Sequence, residues 1–347
     1  MPGFRLLLAP LALAAILISA AQAMAGTGFR QFELADPSGS RALQVSLWYP
    51  SEDGGTESSL GENRAFYGVP VIKNAAATQR TLPLVVLSHG YGGSWRNLSW
   101  LADVLSRSGY IVAAPDHPGT TTLNKDPKEA ARLWERPRDL SRVIDALIRD
   151  NALAGKVEPS RIASIGHSLG GWTVTALTGG RFSTERFARE CKLHPNPRIC
   201  RLNSLRADEF PPASVLNDDM RDMRVRAMVS LDLGLARGFT PESLAALPVP
   251  ALIIGAGTDI GDLPARLESG YLAEHLPASG ARYVEIPDAM HFSFMQRCKP
   301  EGAALLEADE PGDGIVCKDG GTRGRDAIHQ EVAALILGFF AKAIPTQ

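Results

Sequence analysis

A serine bracketed by glycines sets the tightest limit on how this chain can fold. The run Gly166-His167-Ser168-Leu169-Gly170-Gly171 follows the apolar stretch Arg161-Ile162-Ala163-Ser164-Ile165 and precedes a helix-like stretch at 172–177. Strand, tight turn and helix in that order are the setting in which G-x-S-x-G becomes a nucleophile elbow. Gly166 and Gly170 would let neighbouring backbone come close where a Cβ would collide. The helix starts just after the serine, so free N–H groups would face an oxyanion formed there.

The rest of the chain supplies strands and helices in alternation. Residues 29–34 and 42–49 look like two strands around the turn Asp36-Pro37-Ser38-Gly39. Residues 51–81 are polar and rich in Gly and Ala, a long connection. Leu84-Val85-Val86-Leu87 is continuously apolar, as in a strand buried on both faces. A helix with Leu98, Leu101 and Leu105 follows, then a strand at 110–114. Pro137 opens a helix carrying Leu140, Val143, Ile144, Leu147 and Ile148 on one face. Residues 181–224 break the alternation with charge, prolines and two cysteines, and read as a lid-like insertion over the sheet. Strands at 225–231, 251–254 and 281–286, a helix at 263–276 and an amphipathic helix with Ile328, Val332, Leu335, Ile336, Phe339 and Phe340 complete the chain. The expected fold class is α/β, a doubly wound and mostly parallel sheet. Such sheets carry their sites at the carboxyl ends of the strands, where His89, Asp116, Ser168, Asp232, Asp259 and His291 all fall.

A serine hydroxyl needs a base to take its proton, and the base needs an orienting acid. His291 is the expected base, because it follows the last strand late in the chain. Two acids are open. Asp259 is preferred, after the penultimate strand, and Asp232 is the alternative, one strand earlier. The expected oxyanion donors are the amides of Leu169, directly after the serine, and Tyr91, in the glycine-rich loop Gly90-Tyr91-Gly92-Gly93. Tyr91, Trp95, Trp172, Met290, Phe292 and Phe294 could line an acyl pocket or belong to the core. His117 precedes the serine and reads as a turn or pocket-lining residue. The acidic loop with Glu307, Asp309, Glu310 and Asp313 lacks EF-hand spacing and reads as solvated. No metal and no cofactor is expected.

Charge and leader bear on location and partners. The net charge of -2 at pH 7 gives no basic footprint for nucleic acid. Arg5, an apolar run at 6–21 and the small-x-small patterns Ala21-Gln22-Ala23 and Ala23-Met24-Ala25 read as a secretory signal over residues 1–25. That run is short for a membrane span and contains Pro10, so no stable anchor is expected after cleavage. Residues 26–347 would then form one domain, periplasmic or secreted. Four cysteines behind an export signal suggest two disulfides, and proximity favours Cys191–Cys200 and Cys298–Cys317.

The chain resembles the α/β-hydrolases, in particular the bacterial predicted dienelactone hydrolase group, which is similar to platelet-activating-factor acetylhydrolases and cutinase-type polyesterases. The resemblance rests on Ser88-His89-Gly90-Tyr91-Gly92-Gly93, Ala114-Pro115-Asp116-His117, the Ser168 turn, Val229-Ser230-Leu231-Asp232 and His291-Phe292. It implies a serine hydrolase acting on small-molecule or lipid-like carboxylic esters through an acyl-enzyme on Ser168. Dienelactone hydrolases proper use cysteine, so Ser168 detaches the label from that substrate. The acetylhydrolase pattern matches Asp232 and the cutinase pattern Asp259. The insertion at 181–224 argues against polymeric substrates. Amide hydrolysis, or a catalytically silent binding protein of the same fold, are the other readings.

Overall fold

The computed structural model describes residues 26–36, 39–196, 198–200, 215–261 and 263–346. The expected signal segment at 1–25, Pro37-Ser38 of the first turn and the part of the insertion at 201–214 lie outside the described residues. Ten strands occur in chain order: β1 (Gly26–Leu34), β2 (Leu43–Ser51), β3 (Ser58–Leu60), β4 (Val69–Lys73), β5 (Thr81–Ser88), β6 (Ile111–Pro115), β7 (Lys156–His167), β8 (Val225–Leu231), β9 (Ala251–Ala256) and β10 (Ala281–Ile286). The α-helices are α1 (Ser99–Arg107), α2 (Pro127–Ala130), α3 (Glu135–Arg149), α4 (Leu169–Leu177), α5 (Thr184–Leu193), α6 (Pro241–Ala245), α7 (Ser269–His275), α8 (Gly302–Asp309) and α9 (Arg325–Ala343).

The strands form one sheet in the order β10-β9-β8-β7-β5-β6-β2-β1-β4-β3. Pairing is parallel from β10 to β6, then antiparallel from β6 to β2 and from β2 to β1. Apolar strands with period-two side chains need a layer on each face. Val85 and Leu87 of β5 pack with Leu101 and Leu105 of α1 and Ile336 and Phe340 of α9. Their neighbours Leu84 and Val86 face the other way, against Leu140, Val143 and Leu147 of α3 and Val174 of α4. The doubly wound α/β expectation is met.

Several boundaries differ from the sequence reading. The stretch 51–81 contains β3 and β4, short edge strands in a polar context, with Pro70 in the outer pair. Helix α3 opens at Glu135 rather than Pro137, and α4 starts at Leu169, directly after the serine. The helix expected over 263–276 is a 3₁₀ turn at Ala265–Leu267 followed by α7, broken at Glu268 (φ −119°, ψ −88°). Burial explains that break: Glu268 turns inward, and its Oε2 accepts from the Ala236 amide at 2.7 Å.

In the described part of the insertion, α5 is capped by Ser183 Oγ on the Arg186 amide. Phe182 and Phe187 anchor it against Trp172 and Phe239. Disulfides join Cys191 to Cys200 and Cys298 to Cys317, as proximity suggested. Among the described residues no helix is long and apolar enough to cross a membrane.

Candidate active site

The sheet delivers the serine in a conformation that most residues avoid. Ser168 has φ 56° and ψ −120°, between the end of β7 and the start of α4. Strain of this kind costs of order 1–3 kcal/mol and persists only where surrounding structure holds it. Here the Ser168 amide donates to Leu231 O at 3.0 Å, tying the turn to the end of β8. The glycines are required by contact. A Cβ on Gly166 would lie 1.9 Å from Gly170 O, and one on Gly170 would lie 1.9 Å from Ser88 O.

His291 comes from the loop after β10 and is buried. Its Nδ1 meets Asp232 Oδ2 at 2.6 Å. With Nδ1 donating to the carboxylate, Nε2 is left as the acceptor a base needs. Asp232 is well fixed. Its Oδ1 accepts from the Ala256 amide at 2.9 Å, and its own amide donates to Ile254 O at 2.7 Å.

The preference for Asp259 is therefore corrected. Asp259 is exposed, and its Oδ1 accepts from the Gly261 and Leu263 amides at 3.0 and 2.9 Å, a turn cap. Strand order supplies the reason. β8 adjoins β7, so Asp232 emerges one strand from Ser168. After β9, the backbone instead runs along the His291 loop through Gly257 N to Ile286 O and Thr258 N to Ala289 O. That carries Asp259 outward past the site.

Of the expected oxyanion donors, Leu169 directly follows Ser168 and Tyr91 lines the cavity with it. Neither the Leu169 nor the Tyr91 amide has an acceptor among the described residues. The Tyr91 loop is stitched in place by Gly92 N to Thr120 O at 2.9 Å and Thr122 N to Gly93 O at 2.8 Å. Gly90, Tyr91, Ser168, His291, Phe292 and Met295 all line one cavity of about 750 Å³. Of the aromatic candidates, Tyr91 and Phe292 line it, while Trp95, Trp172 and Phe294 are core.

Two features escaped the sequence reading. His167, inside the serine motif, is buried, and its Nε2 donates to His291 O at 2.9 Å, clasping the His291 loop to the Ser168 turn. Burial, then the neighbouring His291, pushes its pKa down to about 3, so this ring stays neutral. The second is another Ser-His-Asp chain. Ser88 Oγ donates to His117 Nε2 at 3.0 Å, and His117 Nδ1 donates to Asp139 Oδ2 at 2.9 Å. Arg41 grips Asp139 through two bonds of 2.8 and 2.9 Å, and Arg136 donates to Ser88 Oγ, Thr173 Oγ1 and His89 O. All of these side chains are buried. His117 is thus a core residue rather than a lining one, and the network braces the loop that carries Tyr91. Only the helical periodicity of α3, which places a charged Asp139 beside Leu140 and Val143, hinted at a buried partner.

The acidic loop does not gather a metal site: Glu307 accepts from the Gly312 and Gly314 amides, both at 3.1 Å. Among the described residues no group of three or more His, Cys, Asp or Glu side chains could hold a metal ion.

The profile of the alpha/beta hydrolase family matches residues 85–301. The chain belongs to that family. Cutinase est2 from Thermobifida alba is 29% identical over 103 residues, covering 29% of this chain and 31% of the relative. Cutinase 2 from Thermobifida cellulosilytica is 30% identical over 103 residues, covering 29% of this chain and 36% of the relative. The chain thus spans about a third of the length of these curated relatives. Among solved structures, a ferulic acid esterase from Streptomyces cinnamoneus superposes with a TM-score of 0.62 at 23% identity, covering 92% of this chain and 89% of the other. That likeness is one of fold.

Proposed function

We propose that this alpha/beta hydrolase is an exported carboxylic ester hydrolase, with Ser168 as nucleophile, His291 as general base and Asp232 as orienting acid. The observation that carries the reading is the 2.6 Å contact of His291 Nδ1 with Asp232, in one cavity with Ser168. The local likeness to cutinases supports an ester as the bond attacked. Two disulfides and the apolar leader support export. Residues 26–347 act as a single hydrolase domain with its insertion at 181–224.

The mechanism follows from the groups. Ser168 Oγ attacks the ester carbonyl carbon while its proton passes to His291 Nε2. Negative charge forms on the carbonyl oxygen and is met by the Leu169 and Tyr91 amides, which need no rearrangement to receive it. The carbon–oxygen bond to the alcohol breaks, and His291 returns the proton to the leaving oxygen. Water then attacks the acyl-enzyme, giving its proton to His291, and Ser168 departs with that proton as the acid is released.

A panel of p-nitrophenyl esters beside a p-nitroanilide tests this. Turnover of the esters, lost in Ser168→Ala with the fold intact, is the expected result. Preferential anilide cleavage would make it an amidase, and no turnover by folded protein would leave a binding protein.

A further inference from the structure

We propose that the catalytic cavity is built for esters that carry a carboxylate away from the scissile bond, with Arg96 and Lys125 as the subsite that receives it. This rests on the ester-hydrolase reading of Ser168. The cavity has a charged wall. Arg96, Lys125 and Arg198 line it, against two acids, Glu62 and Asp313. Glu62 is already matched, 2.7 Å from Lys299 Nζ. With Arg198 set aside because it has a partner of its own, Arg96 and Lys125 against Asp313 leave the described part of the wall net positive, although the whole chain carries -2.

Neither Arg96 nor Lys125 forms an ion pair with a described carboxylate. Lys125 makes no hydrogen bond or ion pair with any described residue. Arg96 lies over the Trp95 ring, 4.4 Å from its centroid, and makes no ion pair among the described residues. Asp116, behind the loop, feels the charge of Arg96 but forms no ion pair with it; its Oδ1 accepts from the Trp95 amide at 2.8 Å, and it does not line the cavity. A guanidinium held flat on an indole keeps its edge free for a planar carboxylate.

The cations also stand on fixed backbone. The segment with Lys125 is zipped to the Tyr91 loop by Gly92 N to Thr120 O, Thr122 N to Gly93 O and Thr122 Oγ1 to Gly92 O, at 2.9, 2.8 and 2.9 Å. Asn124 O accepts from Thr121 N at 3.1 Å and closes the segment on itself. Arg96 follows the same loop in the 3₁₀ turn Trp95–Leu98, capped by Ser94. The positive charges are thus positioned relative to the oxyanion donor. Leu123, 87% exposed, and Tyr91, 52% exposed, add an apolar rim beside them. An apolar body ending in a carboxylate complements this wall, and a neutral chain of equal length leaves the cations unanswered.

The carboxylate could belong to the acyl or the alcohol half, and two pairs of probes separate these. For the acyl half, mono-p-nitrophenyl glutarate is compared with p-nitrophenyl pentanoate. For the alcohol half, 4-acetoxybenzoate is compared with its methyl ester. The quantity read is the anionic-to-neutral ratio of kcat/KM in wild type, divided by that in the double variant Arg96→Gln/Lys125→Gln, so intrinsic reactivity cancels. A quotient of about tenfold or more in one pair is expected, the scale of one charge-assisted contact. The wild-type ratio should also fall as NaCl rises from 0.05 to 0.5 M, because salt screens a partly open site. This measurement needs no variant to fold. Good turnover of the neutral esters with a quotient near one and a salt-independent ratio overturns the subsite and leaves the esterase standing. No turnover of any ester removes both.

Discussion

At the scale of single residues, the acid is the sharpest point of test. In the proposed triad the carboxylate of Asp232 would hold the His291 tautomer and steady the imidazolium formed during attack. In Asp232→Asn an amide NH₂ can face Nδ1, which favours the tautomer with its proton on Nε2, where a lone pair is needed. Its kcat should fall roughly 10³- to 10⁴-fold, while Asp259→Asn, a change in a surface turn cap, should cost tenfold or less. Steady-state rates on p-nitrophenyl butyrate, with melting curves to establish folding, check both, and an active Asp232→Asn enzyme would refute the assignment. A second outcome separates the two serine chains. A fluorophosphonate probe should label Ser168 and leave Ser88 untouched, since Ser88 is wholly buried and its oxygen already accepts from Arg136; label surviving Ser168→Ala would contradict this. That Ser168 and His291 share one cavity was legible from motif and chain order. The acid was not, because Asp232 and Asp259 both follow apolar strands and only lateral strand order distinguishes them. Ser88, His117 and Asp139 were invisible as a set, being joined by contacts that no spacing along the chain encodes.

Among the elements, the loop carrying His291 depends on the carboxyl-terminal part of the chain. Ser293 Oγ accepts from the Met290 amide at 2.9 Å and donates to Asp319 Oδ1 at 2.5 Å. Asp319 is itself paired with Arg325 at 3.1 Å, and His329 of α9 donates from Nε2 to the carbonyls of Ser293 and Met295. The disulfide Cys298–Cys317, with a sequence separation of 19, closes the segment that ends two residues before Asp319. Loop-closure entropy for a bridge of that length corresponds to about 3 kcal/mol. Cys298→Ser/Cys317→Ser should therefore lower stability by roughly 2–4 kcal/mol in urea unfolding, and kcat should drop more than KM rises, because the loop that loosens holds the base. An unchanged urea midpoint would show that the bridge is incidental. This bracing was only half visible in advance. The cysteine pairing and α9 could be read from spacing and periodicity, but Asp319 looked like any loop acid. The outer strands β3 and β4 were hidden for a related reason. Three and five residues long and partly exposed, they lack the apolar run that marked β5, β8 and β9.

Across the whole molecule, the buried titratable groups fix how stability responds to pH. Burial holds four of the seven histidines below their ordinary range: His167 at about 3, His329 at about 4, and His89 and His117 well below 6.5. Their folded-state pKa values lie below the unfolded ones. As pH falls through about 6.5 the unfolded chain takes up protons that the folded chain refuses, so stability is lost toward acid. Each group contributes about 1.4 kcal/mol per pH unit within its window. Three buried acids act in the opposite sense, Asp116, Asp139 and Glu268, each raised by burial. Burial raises Asp116 to about 6 and Glu268 to about 8, so the unfolded chain sheds these protons first and stability is lost as pH rises. Between about pH 4.5 and 6 the four histidines outnumber the three raised acids, leaving a net rise of stability with pH. Above 6.5 the histidine contribution is spent, Asp116 is ionised in both states, and Glu268 pulls stability down until about pH 8. Urea midpoints measured from pH 5 to 8.5 should therefore pass through a maximum near pH 6–6.5. Glu268→Gln should flatten the alkaline side and leave the acid limb falling. A midpoint that climbs steadily from pH 6 to 8.5 would mean that Glu268 is ionised in the fold, held by Arg237 at 3.6 Å and the Ala236 amide more strongly than burial opposes it.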